Sequence, residues 1–175
     1  METLKYAEAR ELIQDGDIVS VKPCDYNPVH LVVCWVTKKP FYHTAIALWM
    51  YSTGGTKRLF VCEAHRSGRR LVPMSKYESN EMVVKCAPLP FAKIEESLLS
   101  RVGFVPYAFW DLIVVGVRIL FGRLWKDSKA EICSELAQDI YSEAGFTMPD
   151  YVLSPGELDS YLESCGVPDR VLICK

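Results

Sequence analysis

The spacing of apolar residues changes near residue 90, and this change sets the fold class. Before it, residues 18–23 (IVSVKP) and 41–64 alternate apolar and polar positions and are rich in β-branched residues. Both patterns predict strands. In residues 41–64 we expect two strands that form a hairpin, with its turn at STGGTK. After it, apolar residues recur at helical spacing in residues 91–103, 109–125, 128–145 and 154–166. Strands followed by helices favour an α+β domain whose helices pack against one antiparallel sheet.

The remaining segments complete the predicted order of elements. Residues 3–14 predict a short opening helix that ends at the DGD turn, and residues 30–40 (HLVVCWVTKKP) and 81–90 (EMVVKCAPLP) predict strands. The chain has 175 residues, half of them apolar, so it can bury a core without disulfides or a metal. We therefore expect a single domain spanning residues 1–175.

Composition excludes several classes of function. Twenty basic residues stand against 22 acidic ones with no dense basic block, so we expect no nucleic-acid partner. No apolar run reaches the ~18–20 residues needed to cross a bilayer, and the first residues lack the apolar core of a secretion signal. The seven cysteines contain no C-x-x-C pair, so we expect reduced thiols, no metal and no cofactor. The expected location is the cytoplasm, or the host cytoplasm or virion if a phage or virus encodes the chain.

Residues 128–145 (SKAEICSELAQDIYSEAG) predict the clearest helix, and Cys133 is its unusual residue. Ser128 and Glu131 fit a capping box that would start the helix, and Gly145 fits its end. Cys133 would then lie in the first turn and a half, where backbone N–H groups and the helix dipole favour a thiolate. Helical spacing alone nevertheless favours a small core residue over a nucleophile, because free cysteine is among the most buried residue types.

A thiolate nucleophile needs a base, and the chain offers three histidines. His30 opens an apolar strand and His65 lies in a polar loop where solvent exposure is expected, whereas His43 begins an alternating strand beside aromatic residues. Glu63 lies on the strand expected to pair with that of His43, and paired strands lie ~5 Å apart, so a carboxylate can reach the imidazole. Read separately, each residue has a simpler role, His43 as a structural histidine and Glu63 as an edge carboxylate facing water.

Taken together, four short motifs resemble the permuted papain-like branch of the NlpC/P60 superfamily, the YiiX/YebB-type proteins and their poxviral relatives. The motifs are a G-D strand, a strand that begins with histidine, an E-A strand with a glycine-to-proline turn, and a C-S-E-L helix. They correspond to residues 16–19 (GDIV), 43–46 (HTAI), 63–73 (EAHRSGRRLVP) and 133–136 (CSEL). The resemblance spans roughly residues 12–147. Thr44 and Ala45 depart from the valine and glycine that are common in the family.

The resemblance implies a cysteine hydrolase that cleaves an amide bond in a peptide, isopeptide or peptidoglycan-type substrate. Cys133 would be the nucleophile, His43 the general base and acid, and Glu63 the residue that orients the imidazole, with a covalent acyl-enzyme as intermediate. The backbone N–H of Cys133 and one side chain would hold the oxyanion, with Tyr107 the first candidate and Tyr42 the second. The absence of a cell-wall-binding module favours another amide, isopeptide or ester bond over peptidoglycan.

Two alternatives remain open within the same fold. Relatives of the lecithin–retinol acyltransferase type use similar chemistry on lipids, and the apolar run around Phe109 and Trp110 would suit an acyl chain or a lipid surface. The third possibility is a papain-like scaffold kept for binding, in which Cys133 and His43 are present but unused.

Overall fold

The computed structural model describes residues 3–24, 28–51, 53–65, 68–102 and 133–174. Its strands are β1 Thr3–Lys5, β2 Ile18–Val21, β3 His43–Tyr51, β4 Lys57–His65, β5 Gly68–Pro73, β6 Met82–Lys85 and β7 Asp169–Cys174. Its α-helices are α1 Tyr6–Ala9, α2 Pro28–Thr37, α3 Glu95–Ser100, α4 Cys133–Glu143 and α5 Pro155–Ser164. Short 3-10 turns cover Arg10–Leu12, Met74–Tyr77 and Phe91–Lys93.

The described strands form one sheet in the order β1-β7-β6-β2-β3-β4-β5. The predicted hairpin of residues 41–64 is confirmed as β3 and β4, with Ile46 opposite Cys62. Strand β1 pairs in parallel with β7, whereas every other described pair is antiparallel. The sheet is therefore mixed at one edge, which corrects the prediction of a wholly antiparallel sheet.

The two faces of the sheet bury different sets of residues, because side chains alternate along each strand. On β3, Ile46 and Leu48 face one core and Ala45 and Ala47 the other. The first core also receives the apolar side chains of α3, α4 and α5: Leu98, Leu136, Ala137, Ile140, Tyr141, Leu158 and Leu162. The second core is closed by α1 and the turns beside it, with Ala9, Ile13, Met74 and Tyr77. This layering confirms the α+β class.

Helix ends agree with the capping signals wherever the structure describes them. Helix α5 begins at Ser154 with a complete capping box to Glu157, and Gly166 follows its end with φ +78°. Helix α4 is followed by Gly145 with φ +94°, a left-handed conformation that favours glycine. The capping box predicted at Ser128 and the helix predicted at residues 109–125 lie outside the described residues.

Three predictions of secondary structure are wrong. Residues 30–40 were predicted as a strand, but they lie mostly in α2, which begins at a proline, a residue suited to the first helical turn. A strand there would also lack a partner beside β2, because β2 already pairs with both β3 and β6. Residues 3–14 combine β1, α1 and a 3-10 turn instead of one helix, and β5 was missed.

The Gly16-Asp17 pair has a structural role at the start of β2. Gly16 adopts φ +86° and Asp17 is fully buried. The Asp17 carboxylate accepts hydrogen bonds from the backbone N–H groups of Gln14 at 2.8 Å and Ala87 at 3.0 Å, and pairs with Arg170 at 2.5 Å. The motif thus ties β2 to the segments that follow β6 and begin β7. Within the described part of the chain, the helices are too short or too polar to cross a membrane.

Candidate active site

His43 and Glu63 meet across the β3–β4 pair. Since Ile46 pairs with Cys62, Glu63 comes opposite Ala45, and Ala45 shares a face of β3 with His43. The Nε2 atom of His43 lies 2.9 Å from Oε2 of Glu63. Glu63 is fully buried and His43 is 8% exposed, so water does not compete strongly for this hydrogen bond.

Cys133 approaches the other side of the same imidazole. It is the first described residue of α4, which packs against β3 and β4, and it is half-buried. Its sulfur hydrogen-bonds to the His43 side chain and to the backbone N–H groups of Thr44 and Ser134. Because Nε2 of His43 binds Glu63, Nδ1 is the nitrogen left for the thiol. Residues on three separate elements thus form one hydrogen-bonded chain from Cys133 through His43 to Glu63.

Glu63 has three further partners that the sequence interpretation missed. Arg70 donates to Oε1 from Nε at 2.8 Å, and its Nη2 lies 2.7 Å from the same oxygen. Lys76 donates to Oε1 at 3.0 Å, and the Tyr77 hydroxyl donates to Oε2. The carboxylate therefore accepts from four side chains, which compensates its complete burial.

The contact between Arg70 and Glu63 could have been predicted from the sequence, but only through the register of β4 and β5. His65 pairs with Gly68, so the connection between β4 and β5 has two residues, and this register places Arg70 directly opposite Glu63. A hairpin pairing counted outward from His65 and Gly68 would have predicted this contact. Lys76 and Tyr77 lie on the 3-10 turn after β5 and reach Glu63 through the tertiary fold.

The thiol and imidazole stabilise each other as an ion pair. Burial by itself would lower the pKa of His43, but the Cys133 thiolate and the Glu63 carboxylate raise it to about 9. Burial by itself would raise the pKa of Cys133, but the His43 charge and the N–H groups of Thr44 and Ser134 lower it below its usual value. Both shifts favour the thiolate–imidazolium form of the pair over its neutral form.

The groups around Glu63 keep it ionised. Burial tends to raise the pKa of Glu63, but the hydrogen bond and charge of His43, with the hydrogen bonds from Tyr77 and Arg70, hold it well below its usual range. Burial and the neighbouring Glu63 charge raise the pKa of the Tyr77 hydroxyl, so it stays protonated and keeps donating.

A bell-shaped pH dependence of kcat/KM is expected from these two shifts. The lower limb should lie below the ordinary thiol pKa of about 8.5, because the Cys133 thiolate forms at lower pH. The upper limb should lie at about 9, where His43 loses the proton that the leaving group needs. Initial rates measured from pH 4 to 11 test this. A single rise centred near pH 8.5, with no fall above pH 9, would contradict the ion pair.

Of the two aromatic oxyanion candidates, the structure describes Tyr42 but not Tyr107. Tyr42 precedes β3, and its ring stacks on His30 with centroids 3.8 Å apart and lies 6.0 Å from the His43 ring. Tyr42 is therefore beside the site, whereas Tyr107 lies outside the described residues, as do Phe109 and Trp110. His30 belongs to α2, which corrects its placement on a strand, and His65 is the half-buried last residue of β4 rather than part of a loop.

The donor set around His43 does not resemble a metal site. Over residues 3–24, 28–51, 53–65, 68–102 and 133–174, no three side chains of His, Cys, Asp or Glu converge as metal ligands. The His43 side chain already hydrogen-bonds to Glu63 through Nε2 and to Cys133. The cysteines within the described ranges form no disulfide with one another.

The fold of this chain is similar to that of a solved protein. Neither a protein-family model nor a curated protein sequence matches the chain. Among solved structures, the metalloprotein YiiX from Escherichia coli matches with a TM-score of 0.51 and 17% identity, over 93% of this chain and 88% of that chain. YiiX is one of the YiiX/YebB-type proteins that the sequence motifs resemble, so the chain shares its fold with one member of that group.

Proposed function

We propose that the protein is a cysteine hydrolase that cleaves an amide bond through Cys133, His43 and Glu63, on a permuted papain-like scaffold. The observation that carries the proposal is that the His43 side chain hydrogen-bonds both to Cys133 and to a fully buried, multiply bonded Glu63. A structural cysteine needs neither an imidazole partner nor a buried carboxylate behind it.

The reaction begins with the thiolate of Cys133 attacking the substrate carbonyl carbon. A bond forms between sulfur and carbon, and the carbonyl oxygen becomes an oxyanion held by backbone N–H groups near the sulfur, for which Thr44 and Ser134 are candidates. His43 gives its proton to the leaving nitrogen as the carbon–nitrogen bond breaks. His43 then takes a proton from water, and the resulting hydroxide attacks the thioester carbon. The carbon–sulfur bond breaks, the carboxylic acid is released, and the Cys133 thiolate beside the His43 imidazolium is restored.

Glu63 acts without touching the substrate. Its hydrogen bond to Nε2 fixes the ring orientation and keeps Nδ1 toward Cys133, and its negative charge stabilises the imidazolium. Since His43 and Glu63 already use their donors and acceptors on each other and their neighbours, they do not fit a bound metal, and no step passes through one.

Turnover of chromogenic acyl compounds tests the proposal. Wild-type protein is assayed with peptidyl 4-nitroanilides and with 4-nitrophenyl acetate, beside the Cys133→Ala variant. We expect nitroaniline or nitrophenolate release from the wild type and an acetyl group retained on Cys133, detectable by mass spectrometry. Acetylation that spreads over the exposed cysteines without preference for Cys133 would contradict the proposal.

A further inference from the structure

Two cations share one carboxylate at the edge of the candidate site. Arg70 and Lys76 both bind Oε1 of Glu63, and among the described residues neither forms an ion pair with any other acid. Since His43 and Cys133 neutralise each other, Arg70, Lys76 and Glu63 together leave one surplus positive charge. A surplus charge next to a reaction centre attracts an anionic group of a ligand.

Both cations also reach solvent. The Arg70 side chain is 33% exposed and that of Lys76 is 41% exposed, whereas Glu63 is completely buried between them. Arg70 binds Glu63 through Nε and Nη2, so among the described residues its Nη1 remains available to donate. Lys76 donates to Glu63 and to the Tyr77 hydroxyl, and within the same part of the chain its third N–H remains available. Charged donors thus face outward from a rigid, buried anchor.

The position of these donors relates them to the leaving group. In the proposed reaction His43 must hand its proton to the leaving nitrogen, so the leaving group lies on the His43 side of Cys133. Glu63 and its two cations lie on that same side, beyond the imidazole. A leaving group that extends past His43 would therefore meet Arg70 and Lys76.

We infer that Arg70 and Lys76 form a subsite for a carboxylate carried by the leaving group, so that the released amine is an amino acid or another amine that bears an acid. This inference rests on the proposed function and names its substrate class. A carboxylate matches the donors, since Arg70 offers a planar guanidinium edge and Lys76 an ammonium group beside it. The bound anion would neutralise the surplus charge.

Two alkylating agents that differ only at their far end test the subsite. Bromoacetyl-β-alanine ends in a carboxylate, and its amide ends in a neutral carboxamide. With either one, the Cys133 thiolate forms a sulfur–carbon bond as bromide leaves. An ordinary thiolate reacts no faster with the acid, because the two anions repel. At Cys133 we expect the acid to react roughly five- to tenfold faster than its amide at low ionic strength.

Charge-removing variants identify the groups responsible. Arg70→Gln and Lys76→Gln should each lower the acid-to-amide rate ratio several-fold, and the exposed Lys76 makes its variant the one expected to fold unchanged. Lys57→Gln and Arg58→Gln remove the same charges at the far, exposed end of β4 and should leave the ratio unchanged. Tyr77→Phe disturbs Glu63 without removing a charge, so it should lower both rates and keep the ratio.

The outcomes separate this inference from the proposed function. If the neutral amide labels Cys133 no faster than the exposed Cys165, the thiolate mechanism itself fails. If Cys133 is highly reactive but its acid-to-amide ratio equals that of Cys165, or survives both Arg70→Gln and Lys76→Gln, the carboxylate subsite alone is overturned.

Discussion

Replacing Cys133 with alanine is expected to lower kcat for hydrolysis of an acyl 4-nitroanilide by about four orders of magnitude or more. The sulfur supplies the only bond through which the acyl-enzyme can form, so its loss removes the covalent route. His43→Ala should cost a similar factor, and the double variant little more, because the two residues act as a unit. Steady-state rates with active-site titration measure all three.

Cys165→Ala is the matched control, since it removes an exposed thiol from the end of α5. It should retain wild-type turnover. Equal losses in the Cys133 and Cys165 variants, or losses that multiply in the Cys133 and His43 double variant, would show that these residues contribute independently and would refute the catalytic unit.

Glu63→Gln is expected to reduce both activity and stability. Glutamine offers one neutral acceptor where a carboxylate now receives four side chains, so the His43 imidazolium loses its counter-charge and kcat should fall about a thousandfold. Removing one partner of a buried ion pair costs about 3–5 kcal/mol, but Arg70 and Lys76 can turn toward water, so we expect about 2–3 kcal/mol. Urea unfolding at pH 7 measures the loss.

The stability loss should depend on pH in a definite direction. The pKa of Glu63 is lower in the folded protein than in the unfolded chain, so its stabilising effect is present above about pH 4.3, the unfolded value, and fades as the pH falls further. Wild type and Glu63→Gln should therefore converge in stability in acid. Tyr77→Phe, which removes one hydroxyl donor from Glu63, should cost only about 1 kcal/mol. A Glu63→Gln difference that stays constant from pH 7 to pH 3 would exclude this account.

The features that could be predicted from sequence are those set by local rules. Ser154 and Glu157 cap α5, and Gly145 follows α4, because side chains within four residues satisfy the free helix ends. The β3–β4 hairpin follows from alternation on either side of a glycine-rich turn. That hairpin alone brought Glu63 within reach of His43.

The features that were missed depend on contacts distant in sequence. Residues 30–40 carry a β-branched run, yet they form most of α2 because the strands beside β2 are already taken. Strand β1 forms only because β7, at the other end of the chain, gives it a parallel partner. Arg70 and Lys76 are charged residues that look like surface residues locally, and only the β4–β5 register and the following turn bring them to Glu63.

The most direct test of the central claim is the rate at which iodoacetamide labels each cysteine at pH 6, followed by peptide mass spectrometry. The lowered pKa of Cys133 predicts that it reacts at least tenfold faster than the exposed Cys165, and that His43→Ala abolishes this difference. Labelling of Cys133 at the same rate as Cys165, or a preference that persists without His43, would contradict the thiolate–imidazolium pair and with it the proposed hydrolase.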